Sequence, residues 1–161
     1  MNAMNSFTMK CLTELGYDYI MPSPELTGVQ LASIAEHSAL ADRMLIGIHG
    51  RTPLMQLLHC PIKEHCMGIA GAVTDEAGRV FPLVNIRYPD NCLVRMLNCR
   101  TTDLIDLFDR IPQTAGYVLN FVGEQIDEVT ERIAAASEAK NGKRQTQYPN
   151  STRGHWMRKV E

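Results

Sequence analysis

Length, composition and charge set the broad class of the chain. It has 161 residues, 45% hydrophobic and 21% charged, which is ordinary for a soluble globular protein. Its start, MNAMNSFTMKCLTELG, lacks a basic segment followed by an apolar one, and no apolar run is long enough to span a bilayer. These features argue against an exported or membrane protein, so we expect a cytoplasmic α/β domain with no membrane partner.

The net charge of −2 hides a basic C-terminal segment. From Lys140 onward there are six Lys and Arg residues against a single acid, Glu161, which leaves about −7 on the rest of the chain. We therefore divide the chain into a domain at residues 1–139 and a basic, irregular tail at 140–161. Such a tail can contact the phosphates of RNA, or it can be a solvated segment that keeps the domain in solution.

Helices and strands alternate in the predicted order of elements. Apolar residues at helical spacing predict four helices, at residues 6–15, 27–40, 102–111 and around 126–133. Short apolar runs predict four strands, at residues 17–21, 44–48, 93–97 and 117–122. Ser6 and Thr102 are the expected N-caps of the first and third helices. Connections of a dozen or more residues between successive strands are typical of a parallel sheet covered by helices.

The stretch from Pro53 to Asn91 departs from this alternation. It has no helical period, and the turn-like sequence Thr74-Asp75-Glu76-Ala77-Gly78 lies between β-rich flanks. We expect a cysteine-containing loop and a β-hairpin, inserted after the strand that ends at His49-Gly50.

The number of parallel strands also bears on partners. Four strands leave two open edges, at 17–21 and 117–122, with little charge and no proline to protect them. The expected fold is therefore either a small open α/β sandwich or parallel βα units forming a partial (β/α) barrel. In the second case the chain would associate, as a homo-oligomer or with a chain that supplies the missing strands, unless the basic tail covers one edge.

Five cysteines are the main candidates for chemistry, because thiols in a reducing compartment stay free for metals or catalysis. Cys11 lies on the apolar face of the first predicted helix, where we expect it to be buried beside Phe7 and Leu15. The other four lie after or around predicted strands, where parallel α/β folds build their sites: Cys60, Cys66, Cys92 and Cys99.

The spacing of these four cysteines leaves their ligand open. The pattern C-x5-C-x25-C-x6-C is not the paired C-x2-C of zinc ribbons, and scattered thiolates suit an iron–sulfur cluster about as well as zinc. His59 and His65 could add nitrogen ligands. A thiol protease is a further alternative, with Cys60 as nucleophile and His59, His65 or His155 as base, but it needs a third group to orient the histidine.

Glu25 and His49 are the candidates for catalytic side chains. Each follows an apolar run that predicts a strand, at the end of the sheet where catalytic groups are usually mounted, so we expect both to face the same cavity as the cysteines. In the alternative interpretation, Glu25 starts the following helix and interacts favourably with the helix dipole.

Several motifs, taken in order and spacing, resemble the collagenase-like peptidase family U-32. The central ones are His49-Gly50-Arg51-Thr52-Pro53-Leu54-Met55, His59-Cys60-Pro61, Thr74-Asp75-x-x-Gly78-x-x-Phe81-Pro82, Cys92 and Leu97-Asn98. Similar outer segments are Asn5-Ser6, Ser23-Pro24-Glu25-Leu26 and Thr152-Arg153-Gly154-His155, so the resemblance covers nearly the whole chain.

The resemblance implies the C-terminal half of a (β/α) barrel, completed by a second copy or by a separate N-terminal half-barrel chain. It also implies a four-iron cluster on Cys60, Cys66 and Cys92, in a protein of oxidative modification of RNA or of a small quinone-type aromatic. Where Cys99 stands, the family usually has Ser, and Asp75-Glu76-Ala77-Gly78 replaces a basic Asp-Arg-Lys-Gly turn. Proteolysis, as the family name says, and a non-catalytic half-barrel subunit or remnant are the alternatives.

Overall fold

The chain folds into three α-helices and two small sheets over the residues that the computed structural model describes, 2–37, 39–58, 68–87 and 92–158. The helices are α1 (Ser6–Glu14), α2 (Gly28–His37) and α3 (Ile126–Lys140). The strands are β1 (Leu45–Gly50), β2 (Pro53–Leu57), β3 (Gly68–Thr74), β4 (Val80–Arg87), β5 (Cys92–Leu97), β6 (Thr102–Asp103) and β7 (Gly116–Leu119). No helix within these ranges has the length and apolar character that crossing a membrane requires.

The first sheet has three strands in the order β6-β1-β7. Its central strand, β1, is parallel to β7, with Leu45 opposite Gly116, and antiparallel to β6, with His49 opposite Asp103. A single parallel bridge joins Ile20 to Met44, which is the residue before β1.

The second sheet has four strands in the order β2-β5-β4-β3, and every neighbouring pair is antiparallel. β3 and β4 form the hairpin that the turn sequence predicts. The Asp75 carboxylate closes the turn by accepting hydrogen bonds from the backbone N–H groups of Ala77 and Arg79, at 3.0 and 2.9 Å. These bonds and the Arg79 guanidinium hold the pKa of Asp75 below its usual value.

The predicted parallel half-barrel is wrong, because most of the strand pairs are antiparallel. The predicted strand at 93–97 exists as β5, but it lies between β2 and β4 in the antiparallel sheet. Only four residues separate β4 from β5, and parallel neighbours need a crossover of about a dozen residues or more. The alternation of elements along the chain was therefore misleading about how they pair.

Individual elements differ in how well the sequence predicts them. The helices near 6–15, 27–40 and 126–133 are confirmed as α1, α2 and α3, and the strand at 44–48 as β1. The helix expected at 102–111 is instead the short strand β6 followed by a 3₁₀ segment, Ile105–Arg110. The strand expected at 17–21 is reduced to the bridge at Ile20, directly before Pro22 and Pro24.

Helix α1 buries a different face from the one expected. Its N-cap is Asn5 rather than Ser6, since the Asn5 side chain accepts a hydrogen bond from the Thr8 N–H at 2.8 Å. Met9 and Leu12 are the buried residues of the helix. The expected burial of Cys11 is wrong: it is exposed, between Phe7 at 85% and Leu15 at 67% exposure. Apolar residues occupy more than one face of this helix, so periodicity alone did not decide which face packs inward.

The main core lies on the three-stranded sheet. It brings together Ile46 and Ile48 of β1, Leu31 of α2 and the small residues Ala135, Ala136 and Ala139 of α3, among others. Leu83, Leu93, Val94 and Leu97 of the four-stranded sheet are buried outside this cluster. Over the described residues, the buried side chains of the two sheets therefore do not form one continuous core.

The segment after α3 packs against the domain. Thr152 pairs in parallel with Thr102 of β6, and its carbonyl accepts from the Asp103 N–H at 3.0 Å. Trp156 is buried, and its carbonyl accepts from the N–H of Gly28, the first residue of α2, at 3.1 Å. The C-terminal segment thus covers the outer edge of β6 and holds the start of α2.

We predict that Gly28→Ala destabilises the protein. A Cβ atom at Gly28 would lie 2.7 Å from Cε2 of Trp156, so the indole ring must move, at a cost of about 1–3 kcal/mol. Urea unfolding followed by circular dichroism measures this loss. Gly47→Ala is the matched control, because its Cβ meets no atom within 4 Å and the substitution should change stability by less than about 0.5 kcal/mol. Equal stability of the two variants would contradict the tight packing of Trp156 on α2.

Candidate functional site

A cavity of about 400 Å³ lies at the end of β1, where the chain passes from the first sheet to the second. Its apolar wall comes from β1, β7, α2 and the C-terminal segment, and includes Ile46, Val118, Leu31, Leu104 and Trp156. Its polar lining consists of Ser23, His49, Arg51, Thr52, Thr102, Asn120, Arg153 and His155. The volume falls in the range of small-ligand sites.

Two arginines of this lining are held in different ways. Arg153 forms a two-point ion pair with the Asp106 carboxylate and also donates to the Asp103 carbonyl at 2.7 Å. Arg51 directs Nη1 at two backbone carbonyls, those of Asn98 at 2.9 Å and Cys99 at 2.7 Å. The guanidinium of Arg153 is thus neutralised by a carboxylate, whereas that of Arg51 is fixed by neutral acceptors.

His49 is buried and bonded to Asp103. The two residues are cross-strand neighbours in β1 and β6, and His49 Nδ1 lies 2.7 Å from Asp103 Oδ2. The imidazole also contacts the rings of Phe121 and Tyr148, with centroids 5.2 and 5.7 Å away. Only 1% of the His49 side chain is exposed, so in this structure it ties β1 to β6 rather than presenting a base to a substrate.

Arg132 of α3 completes the buried charge cluster. Its Nη1 lies 3.9 Å from Asp103 Oδ2, and its guanidinium lies 4.6 Å from the ring centroid of Tyr148. Burial, and then the negative charge of Glu128, raise the pKa of Tyr148 above its ordinary value, so its phenol stays neutral. The face of the Tyr148 ring and two carboxylates, those of Asp103 and of Glu131 at 2.8 Å from Nη2, together balance the positive charge of Arg132.

Glu25 lies beside the cavity but does not line it. Its neighbours Pro24 and Leu26 are lining residues, whereas Glu25 is exposed and its N–H donates to the Ser23 hydroxyl at 3.3 Å. The first turn of α2 contains no acidic residue, so the alternative role in the helix dipole is not seen either. Thr27 and Gln30 instead cap the helix through reciprocal hydrogen bonds of 2.9 and 3.2 Å.

The predicted metal ligands fall largely outside the described residues. Cys60 and Cys66, together with His59 and His65, lie in the segment 59–67, and only the backbone of Cys92 is described. The described residues on either side of this segment have defined partners in the four-stranded sheet. Leu57 pairs with Val94, Gly68 with Asn85, and Arg87 with Cys92. β2 therefore ends, and β3 begins, at the same end of the four-stranded sheet at which β5 begins with Cys92.

Cys99 and the cavity lie toward the other end of this sheet. β2 begins there at Pro53, opposite Leu97, and Pro53 lines the cavity. From Cys92 to Leu97 the strand advances by roughly 16 Å, at about 3.3 Å per residue. The register thus separates Cys92 from Cys99 and from His49, which we expected to share one cavity with the cysteines.

Metal-binding geometry can be assessed only for described side chains. Among these, no three His, Cys, Asp or Glu residues are grouped so that they could hold a metal ion, and Cys60, Cys66 and Cys92 are not part of that set. The Cys99 thiol lies 3.5 Å from Oδ1 of the neighbouring Asn98.

Sequence analysis missed Asp103 and Arg132. Asp103 was hidden because Thr102 before it looks like a helix cap, although an acid directly before Leu104 and Ile105 is a signal of a buried charge. Arg132 lies among residues that read as the solvated part of a helix, yet it is buried on the same side as Ala135, Ala136 and Ala139. Only tertiary structure brings the two together.

Comparisons with models of protein families, with curated proteins and with solved structures gave no match to this chain.

We predict that Asp103→Asn destabilises the fold strongly. The substitution removes the buried carboxylate that His49 and Arg132 share and leaves Arg132 only the exposed Glu131, and breaking a buried pair in this way costs about 3–5 kcal/mol. Urea denaturation at pH 7 gives the free energy of unfolding. Asp18→Asn is the matched control, since the Asp18–Arg43 pair is exposed and worth at most about 1 kcal/mol. A loss no larger than that of the control would show that Asp103 is not what balances the buried charges.

Proposed function

We propose that this chain is an iron–sulfur protein of the U-32 type, with Cys60, Cys66 and Cys92 as thiolate ligands. One observation carries the proposal. Leu58 and Gly68, on either side of the segment with Cys60 and Cys66, lie at the same end of the four-stranded sheet as Cys92. Thiolates from scattered positions are the usual ligands of iron–sulfur clusters. The motifs that resemble the U-32 family support the same three residues.

Asn85 supports a bound group at this end of the sheet. It lies in β4, two residues before Arg87, which pairs with Cys92. Asn85 is 8% exposed, and neither its amide nitrogen nor its amide oxygen has a hydrogen-bond partner among the described residues. Leaving such a group unpaired costs about 1–3 kcal/mol, so an unpaired buried amide is the kind of group that a cofactor satisfies.

The reaction that we propose is an oxidative modification of RNA or of a small aromatic substrate. A four-iron cluster would supply one-electron chemistry when bound. RNA contact would rest on exposed basic residues at the C-terminal end, Lys140, Arg144 and Arg158. Arg153 and Lys143 contribute less, because they are paired with Asp106 and Glu138. The free thiols that the cluster needs fit a cytoplasmic location, which is part of this proposal.

Proteolysis receives no comparable support. It requires a base beside the nucleophile, and Cys60, His59 and His65 lie outside the described residues, whereas His155 lines the cavity toward the other end of the four-stranded sheet. We therefore do not propose it as a second function.

The partner that we propose is another protein chain, which can be a second copy of this one. Large apolar side chains are exposed on α1 and on the segment around the Ile20 bridge: Phe7, Leu15, Tyr17, Tyr19 and Met21. Several large exposed apolar side chains within a short stretch of chain favour an interaction surface. It supports a homo-oligomer or a complex with another protein chain.

We expect anaerobically purified protein to contain iron and acid-labile sulfide, at about four iron atoms per chain, with the broad visible absorption of a cluster. Cys60→Ala, Cys66→Ala and Cys92→Ala should each lose most of this iron. Cys11→Ala and Cys99→Ala are the controls and should keep it. Elemental analysis for iron and zinc with visible spectroscopy measures all five variants.

Three results of this experiment would contradict the cluster. They are a wild-type chain without iron, zinc in place of iron, and equal iron loss in the control variants. A chain without metal would favour the non-catalytic alternative.

We expect the chain to associate through the surface around α1. Light scattering at several protein concentrations should show a mass that rises above the monomer, and Phe7→Ser should reduce this rise because it removes a side chain that is 85% exposed. Ile126→Ser is the matched control, at 74% exposure on α3. A monomer at every concentration would contradict self-association, and an equal effect of the two variants would place the contact elsewhere.

A further inference from the structure

We infer that the cavity at the end of β1 binds a small carboxylate with an apolar body, and that Arg51 binds its charged group. This site lies toward the opposite end of the four-stranded sheet from the predicted cysteine ligands, so the inference goes beyond the proposed function and does not depend on it.

The sign of the charge follows from the residues that line the cavity. None of the lining residues is acidic, and the four ionisable ones are His49, Arg51, Arg153 and His155. The nearest acids are accounted for: Asp103 and Asp106 are bonded to His49 and Arg153, and Glu25 is exposed outside the lining. A concave surface whose ionisable groups are all basic favours an anion over a cation.

Arg51 is the cation without a counter-ion. Within the described part of the chain, no carboxylate lies within 4 Å of its guanidinium, whereas Arg153 has Asp106. An arginine keeps its charge at any physiological pH and carries five N–H donors. The two carbonyl acceptors engage only Nη1, so Nε and Nη2 remain to bind an anion. The same two bonds fix the side chain before a ligand arrives, which reduces the entropic cost of binding.

The apolar wall selects the rest of the ligand. Ile46, Val118, Leu104 and the indole of Trp156 form a surface that an inorganic anion would not fill. The side-chain hydroxyls of Thr52 and Thr102, 3.3 Å apart, provide polar contacts on the lining. The arrangement therefore fits a ring or short hydrocarbon that carries one carboxylate.

Trp156 makes the site directly measurable. It is the only tryptophan of the chain, and it lines the cavity, so its fluorescence reports occupancy. Cyclohexanecarboxylate and the neutral cyclohexanecarboxamide are a matched pair of probes, because neither absorbs at the wavelength that excites tryptophan. The unmodified chain should bind the carboxylate at least about tenfold more tightly than the amide, a difference typical of a charged hydrogen bond.

Arg51→Gln should remove this preference, so that both probes bind equally and weakly. Arg100→Gln is the control variant, because Arg100 is exposed next to Cys99 and does not line the cavity. It should leave both affinities unchanged. Circular dichroism checks that each variant is folded, since Arg51 also bonds to the carbonyls of Asn98 and Cys99.

Several outcomes would overturn the inference. These are equal binding of the two probes to the wild type, no saturable fluorescence change with either, or an Arg51→Gln variant that keeps the preference for the carboxylate. Inorganic phosphate that binds as tightly as the carboxylate would show that the apolar wall selects nothing. If Arg51→Gln does not fold, the binding of the two probes to the wild-type chain decides the matter. Their salt dependence is then compared as well, since only the affinity for the carboxylate should fall as the salt concentration rises. A chain without iron that still prefers the carboxylate would support this inference while the proposed cluster fails.

Discussion

The rest of the structure depends on one buried interaction, the hydrogen bond between His49 and Asp103. Asp103 has no exposed surface, and a carboxylate in such a place is tolerated only when partners surround it. They come from three elements: His49 of β1, the Ile105 N–H after β6, and Arg132 of α3. The interaction therefore fixes two strands and a helix at one point, and it also fixes the end of β1 where the cavity opens.

This constraint explains why the chain has two sheets. β1 ends in the buried pair and continues through only two residues, Arg51 and Thr52, into β2. Arg51 then bonds to the carbonyls after β5, so the turn between the sheets is anchored on both sides. The four-stranded sheet is thus held to the domain near the cavity, and Cys92 lies toward its other end.

How well the sequence predicts the structure depends on the range of the interactions involved. Helices with clear periodicity, such as α2, and the β3–β4 hairpin are determined by neighbouring residues, and both were predicted. The pairing of β5 was not predicted, because the sequence of this strand is equally compatible with a parallel and an antiparallel neighbour. For the site, His49 was recognised as notable, but its role depends on Asp103, which is 54 positions away. Such a distance leaves no periodic signal.

The C-terminal strap, residues 152–156, has a consequence for how the protein folds. The hairpins of the four-stranded sheet join residues that are close in sequence, so they can form early and fast. The three-stranded sheet instead joins Ile20, β1, β6, β7 and Thr152, which span most of the chain. During synthesis its last contacts can form only after Thr152 and Trp156 have left the ribosome. Until then the outer edge of β6 and the start of α2 stay uncovered, so the nascent chain is exposed to aggregation at this stage.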